Sequence, residues 1–139
     1  MTKRRDIIKW SGLGLAAVAA AAPPKSSPIP NAVIDRSQTR LNRQKFGEFR
    51  TYFNGSTDQL QSAVAGSLLL KPGESPHPPH AHKDEEFMMI AEGTGEIMLE
   101  GQVTKVGPGS MMYSAAGKIH GIVNTGEAPL LCYFYKWQV

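Results

Sequence analysis

The sequence lacks the residues and segments that several classes of protein require. It contains a single cysteine, Cys132, among 139 residues, so no disulfide can form within the chain and the fold must be stabilised by its core, by a metal ion or by oligomerisation. No segment reaches the roughly 20 apolar residues of a membrane-spanning helix. Cys132 lies in the apolar run L-L-C-Y-F-Y, which favours a buried small side chain over a reactive thiol.

The sequence also lacks an excess of one charge outside its N-terminus. The net charge is +3, and residues 1–22 account for all of it, with four basic residues and one acidic residue. The remaining residues contain 11 basic and 11 acidic side chains. Nothing in this balance favours nucleic-acid binding, so we expect no nucleic-acid partner.

Residues 1–22 have the layout of a signal peptide, with a charged start, a short weakly apolar stretch and an alanine-rich end. The adjacent Arg4 and Arg5 resemble a twin-arginine export signal, although Lys3 stands where that signal usually has Ser or Thr. An amphipathic N-terminal helix or an uncleaved anchor is the alternative. We predict export by the twin-arginine machinery to the periplasm or the exterior.

Two further regions follow this segment. Residues 23–45 include four prolines among polar residues, and they are predicted to form a linker or an N-terminal arm, which could pack across a partner subunit. Residues 46–139 contain short β-like runs between glycine and proline turns, and no internal stretch keeps helical periodicity for long. This pattern predicts an all-β sandwich or barrel. The runs cover residues 46–53, 62–70, 86–91, 95–100, 102–106, 110–114, 120–124 and 130–137.

The polar residues with the strongest chemical content are His80, His82, Glu86 and His120. Three imidazoles and one carboxylate are the donor set of a mononuclear transition-metal site. Because side chains alternate along a strand, His80, His82 and Glu86 have like parity and can point into one cavity. His120 would join them from a strand that lies later in the sequence.

Neighbouring residues give secondary predictions. Met88 and Ile90 continue the parity of Glu86, so we expect them to line the same cavity. Glu85 has the opposite parity and should face outward. His77 is interpreted as an exposed loop histidine rather than a ligand or proton carrier, and Tyr113 as part of a packed strand rather than of the cavity wall.

The segment G-E-S-P-H-P-P-H-A-H-K-D-E-E-F-M-M-I-A-E-G resembles the first motif of the cupin family, G-x5-H-x-H-x3,4-E-x6-G. His80, His82, Glu86 and Gly93 fit its spacing, whereas Gly73 lies one residue farther from His80 than usual.

The segment from Gly109 to Asn124 resembles the second cupin motif, G-x5-P-x-G-x2-H-x3-N. Gly109, Gly117, His120 and Asn124 fit, and Ala115 replaces the usual proline. Both motifs occur in order, and the resemblance covers residues 46–139.

The resemblance to cupins implies a small antiparallel jelly-roll β-barrel, commonly dimeric, with His80, His82, Glu86 and His120 as metal ligands. We therefore expect an all-β fold, a homodimer, and one divalent transition metal ion. Manganese or iron is favoured, because a protein that folds before export can be loaded in the cytoplasm, away from competing metals; nickel, copper or zinc remains an alternative.

Four protein ligands on an octahedral ion leave two positions for a small-molecule ligand. Glu86 is the candidate catalytic residue, because it could act as a base if it detaches from the metal. The first functional prediction is a dioxygenase-like oxidoreductase acting on a small oxygenated molecule. The alternatives are a redox-neutral isomerase or lyase on a small carboxylate or sugar, and a non-catalytic binding module of the cell envelope.

Overall fold

The computed structural model describes residues 26–139, and its regular elements are β-strands apart from one 3-10 turn. The predicted export signal over residues 1–22 lies outside the described residues and stays a prediction. Residues 26–139 include no helix with the length and hydropathy of a membrane span. The elements are a 3-10 turn at Arg36–Gln38 and the strands β1 (Arg40–Gln44), β2 (Gly47–Gly55), β3 (Ser62–Leu70), β4 (Glu85–Glu92), β5 (Gly95–Leu99), β6 (Gln102–Val106), β7 (Met111–Ser114), β8 (His120–Asn124) and β9 (Leu130–Gln138).

Within residues 26–139 the strands form two sheets. One has six strands in the order β1-β2-β3-β9-β4-β7, and the other has three in the order β6-β5-β8. The strand pairs are antiparallel. This architecture confirms the predicted all-β, antiparallel jelly-roll fold, and the eight predicted runs correspond to β2 through β9.

The core lies between the two sheets because the strands alternate apolar and polar or exposed positions. On β9, Cys132 is fully buried and Phe134 is 4% exposed, whereas Tyr135 on the opposite face is 52% exposed. On the three-stranded sheet, Ile97 and Ile122 face the same core. Burial raises the pKa of the Cys132 thiol to about 12, which disfavours the thiolate. The prediction of a buried cysteine is confirmed.

β1 was not predicted as a strand. It pairs along its length with β2, from Arg40 opposite Thr51 to Gln44 opposite Gly47, within the segment predicted to be a linker or arm. Its sequence R-L-N-R-Q shows no hydrophobic alternation, because β1 is an edge strand that is mostly exposed. Pairing with β2, and not a pattern of its own, makes this segment a strand. The proposed division into residues 1–22, 23–45 and 46–139 stays a prediction.

Gly93 carries the chain from β4 in one sheet to β5 in the other. Its φ angle is +81°, a conformation that side-chain-bearing residues rarely adopt. An added Cβ atom would also lie only 2.6 Å from the carbonyl oxygen of Pro129. Backbone angle and close packing therefore both require glycine here, which explains the residue that ends the first motif.

Candidate metal centre

The four candidate ligands come from one loop and two strands that belong to different sheets. His80 and His82 lie on the loop before β4, Glu86 is the second residue of β4, and His120 is the first residue of β8. The prediction that His80 and His82 lie on the same strand as Glu86 is therefore wrong, because β4 begins only at Glu85. His80 is instead held by an isolated β-bridge to His120, with both backbone hydrogen bonds 2.9 Å long.

His82 is oriented by hydrogen bonds at its ring and at its backbone. The Nδ1 atom lies 3.1 Å from the carbonyl oxygen of Asp84, and a carbonyl can only accept, so Nδ1 carries the proton. The backbone carbonyl of His82 accepts a 2.7 Å hydrogen bond from the N–H of Gly117. Gly117 has a φ angle of +76°, so glycine is favoured where this loop turns towards His82.

His120 is held in the same tautomer. It is 3% exposed, and its Nδ1–H donates to the carbonyl oxygen of Lys118 over 3.0 Å. The hydroxyl oxygen of Ser114 lies 3.2 Å from the same nitrogen. Hydrogen bonds at Nδ1 leave Nε2 with its lone pair free, which is the usual way in which a protein prepares a histidine ligand.

The free nitrogen atoms of His82 and His120 point at one oxygen of Glu86. Glu86 Oε2 lies 2.9 Å from Nε2 of His82 and 3.2 Å from Nε2 of His120. With Nδ1 protonated in both rings, the lone pairs of the two Nε2 atoms and of Glu86 Oε2 point at one another, unless the Nε2 atoms also carry protons. Such a convergence is stable only around protons or a cation.

The spacing fits one metal ion. Adjacent ligand atoms about 2.1 Å from the same ion lie about 3 Å apart, which is the separation between Glu86 Oε2 and each Nε2. Ligand atoms of His80, His82 and His120 all lie within 4.8 Å of one another. The three-histidine cluster could therefore hold a divalent metal ion, and Glu86 is placed to join it.

The electrostatics of the cluster are those of a coupled carboxylate and imidazoles. Burial alone raises the pKa of Glu86, but the hydrogen bonds and charges of His120 and His82 outweigh it and hold the pKa below its usual range. The hydrogen bond from Glu86 raises the pKa of His120 against the effect of burial. Burial, followed by the charge of His77, lowers the pKa of His80. Glu86 is therefore ionised at neutral pH.

The cluster lies in the wall of a cavity of about 410 Å³. Its other walls are largely apolar, and a few polar side chains stand among them, which is the usual character of a small-molecule site. The lining residues outside the ligand set are Asn42, Gln44, Phe46, Phe49, Leu68, Pro76, His77, Met88, Met112, Gly121, Ile122, Phe134 and Lys136.

The secondary predictions had mixed outcomes. Met88 lines the cavity as predicted, but the prediction for Ile90 is wrong, because Ile90 is 1% exposed and packs in the core beyond the cavity. His77 is exposed at the cavity wall with its ring stacked 3.7 Å from that of His80. Tyr113 lies outside the cavity, where its hydroxyl donates to Glu85 over 2.7 Å.

Sequence reasoning missed three polar residues of the cavity wall, Asn42, Gln44 and Lys136. The two amides lie on β1, which carries no strand signal. Lys136 had a signal, because it shares parity with the apolar Cys132 and Phe134 on β9, and a lysine at an inward position of a barrel strand is unusual.

Comparison with known proteins establishes the family. The cupin domain model Cupin_2 matches residues 66–135, which span both motifs from β3 to β9, and the chain belongs to the cupin family.

Two curated relatives are similar over different shares of the chain. A polyketide synthase, CurC, from Streptomyces cyaneus is 30% identical over 70 residues, which are 50% of this chain and 46% of the relative. The chain thus spans about half the length of that protein. A dimethylsulfoniopropionate lyase, DddW, from Ruegeria pomeroyi is 28% identical over 115 residues, which are 79% of this chain and 75% of the relative.

Solved structures share the fold at low sequence identity. An RmlC-like cupin from Shewanella frigidimarina has a TM-score of 0.66 at 14% identity, covering 80% of this chain and 94% of that one. A protein described as a predicted oxalate decarboxylase from Thermotoga maritima has a TM-score of 0.61 at 20% identity, covering 78% of this chain and all of that one. At these identities the likeness defines the fold and not the activity.

Proposed function

We propose that this chain is a cupin enzyme that binds one divalent transition metal ion through His80, His82, Glu86 and His120 and acts on a small oxygenated organic molecule. The observation that carries the proposal is the convergence of two imidazole Nε2 atoms on one oxygen of Glu86, at 2.9 and 3.2 Å. Such an arrangement at the wall of a cavity suits a cation that substrate can reach.

A bound ion would supply Lewis-acid and templating chemistry, and electron transfer as well if it is iron or manganese. The residues of the chain would do the rest. Glu86 is ionised and only 6% exposed, so once released from the ion its carboxylate would accept a proton from a substrate in the cavity. Met88 and Phe134 keep the adjacent wall apolar, which strengthens every charge interaction inside.

Two reaction classes fit this site. Dioxygenase-like oxidation is the class that the motif resemblance first favoured. The similarity to a dimethylsulfoniopropionate lyase over 79% of the chain favours redox-neutral elimination from a small carboxylate, and we place this lyase class first. A metal-binding module without turnover is the remaining candidate.

Turnover under air and under nitrogen separates these candidates. Metal-loaded protein would be incubated with dimethylsulfoniopropionate and a panel of small carboxylates, sugars and phenolics, while products and dissolved O₂ are followed and the metal is identified by elemental analysis. We expect product to form under nitrogen as well as under air, and no O₂ to be consumed under air. O₂ uptake that accompanies product would indicate the dioxygenase class, and tight metal binding without any turnover would contradict enzymatic function.

Glu86→Gln tests the proposed base. We expect kcat to fall by roughly 100-fold or more in metal-saturated protein, the usual contribution of a positioned acid or base. Glu85→Gln is the matched control, because Glu85 bonds to Tyr113 outside the cavity. A Glu86→Gln variant with full metal content and unchanged kcat would remove Glu86 from the mechanism.

We also propose a homodimer and export by the twin-arginine machinery. An aromatic cluster on the outer face of the six-stranded sheet supports the dimer: Phe87 is 40% exposed, and its ring lies 5.2 Å from that of Tyr113 and 5.6 Å from that of Trp137. Exposed apolar patches of this kind mark interfaces. A monomer at micromolar concentration in sedimentation would contradict the dimer.

Fractionation of host cells tests the export. We expect the protein in the periplasmic or secreted fraction, and a purely cytoplasmic protein would contradict the export.

A further inference from the structure

The metal site leaves one charged residue of the cavity wall without a role, and that residue is Lys136. It is the direct cross-strand partner of Glu86 between β9 and β4, and it lines the cavity on the same side of β9 as Phe134. Directly opposite residues share one face of a sheet. The Lys136 side chain therefore lies beside the side chain of Glu86.

Within residues 26–139, the Lys136 ammonium forms one ion pair, and that pair is longer than a hydrogen bond. Its Nζ atom lies 3.9 Å from Oδ2 of Asp84, and the lysine side chain is 34% exposed. Asp84 is already engaged, because its Oδ1 accepts a 2.7 Å hydrogen bond from Gln138 and its Oδ2 lies 3.5 Å from Nδ1 of His82. The ammonium therefore keeps hydrogen-bond donors for a ligand in the cavity that Lys136 lines.

The charge balance of the cavity is positive once the ion is bound. Among the lining residues, Glu86 is the one carboxylate and Lys136 the one lysine or arginine. With Asp84 counted as well, a divalent ion would still leave the site one unit positive. A positive, partly dehydrated cavity attracts anions.

We propose that Lys136 is the specificity-determining residue of this site and that it binds the anionic group of a small organic acid, the substrate class of the enzyme. This assignment rests on the proposed function. A single ammonium provides a strong point contact to a carboxylate oxygen. The Asn42 and Gln44 side chains of β1 line the same cavity and supply hydrogen bonds to further oxygen atoms of the acid.

Binding of malonate and of its neutral isostere malonamide tests the assignment, by calorimetry on wild-type protein, Lys136→Met, Lys136→Arg and Lys105→Met. Methionine keeps the apolar stem without the charge, and Lys105 is an exposed lysine on β6 that serves as the control. We expect Lys136→Met to weaken malonate binding about 10- to 100-fold, as the loss of a charge-assisted contact does, and to change malonamide binding by less than about twofold. Lys136→Arg should retain malonate binding within about fivefold, and Lys105→Met should match wild type.

Two outcomes would overturn the assignment: equal wild-type affinity for malonate and malonamide, or unchanged malonate affinity in Lys136→Met. Elemental analysis and thermal unfolding of each variant show that metal content and fold are kept. The titrations are run on metal-loaded and on metal-free protein. Lack of metal or of turnover in wild type would refute the proposed function, whereas the metal-free titrations test Lys136 separately.

Discussion

His120→Ala is expected to lower metal affinity by more than about 100-fold, since loss of even an outer hydrogen-bond partner of a metal ligand costs 10- to 100-fold. His120 contributes its Nε2 atom to the convergence on Glu86 and is 3% exposed. His82→Ala, which removes the other Nε2 atom, should have the same effect. Metal content per chain, measured by elemental analysis after dialysis against a weak chelator, checks both variants.

The same variants should lose the stability that the metal provides. An ion at 100 times its dissociation constant stabilises the folded state by about 2.7 kcal/mol, so chelator should lower the melting temperature of wild type and have little effect on either variant. Lys105→Met is the control, because Lys105 is exposed on β6 and lies outside the cluster and the cavity wall. Wild-type metal content in both His82→Ala and His120→Ala would refute the ligand assignment.

Asn124→Ala is expected to destabilise the fold by about 3 kcal/mol, because buried backbone groups that lose a partner each cost about 1–3 kcal/mol. Asn124 is fully buried. Its Nδ2 atom donates to the carbonyl oxygens of Leu70 and Ala128, and its Oδ1 accepts from the N–H of Gly126, all at 2.9 Å. The side chain thus ties the end of β3 to the loop that leads into β9.

The corresponding fall in melting temperature is roughly 10 to 15 °C, measured by calorimetry on metal-free protein so that metal loss does not contribute. Asn54→Ala provides the control, since Asn54 is an exposed residue of β2 and its loss should cost less than about 0.5 kcal/mol. An Asn124→Ala variant as stable as the control would show that these three backbone groups find other partners. It would also show that the last motif residue is not required for structure.

Strands that end at turn residues were predictable. β3, β6 and β8 were predicted with the bounds that the structure has, because glycine, proline or polar turn residues follow each run. β1 was not, because an exposed edge strand has no hydrophobic pattern and forms only when β2 offers its backbone. Local propensity contains no information about such a partner.

The candidate ligands were predictable for a different reason. His80, His82, Glu86 and His120 are identified by residue type and motif spacing, and the structure brings them together even though the two loop histidines do not lie on a strand as expected. A β-bridge to His120 does what strand alternation was expected to do. The ligand set was predicted correctly although the strand was not, because pairing with the distant His120, and not alternation along a strand, positions His80.

Residue type and short spacing are enough to predict the all-β class, the burial of Cys132 and the candidate metal ligands. The folded barrel adds three relations that they do not show: two imidazole nitrogens meet one carboxylate oxygen, Ile90 belongs to the core, and Lys136 stands beside Glu86. These relations depend on the register between strands that are 34 to 50 residues apart. Register follows from the packing of the whole barrel, to which every strand contributes.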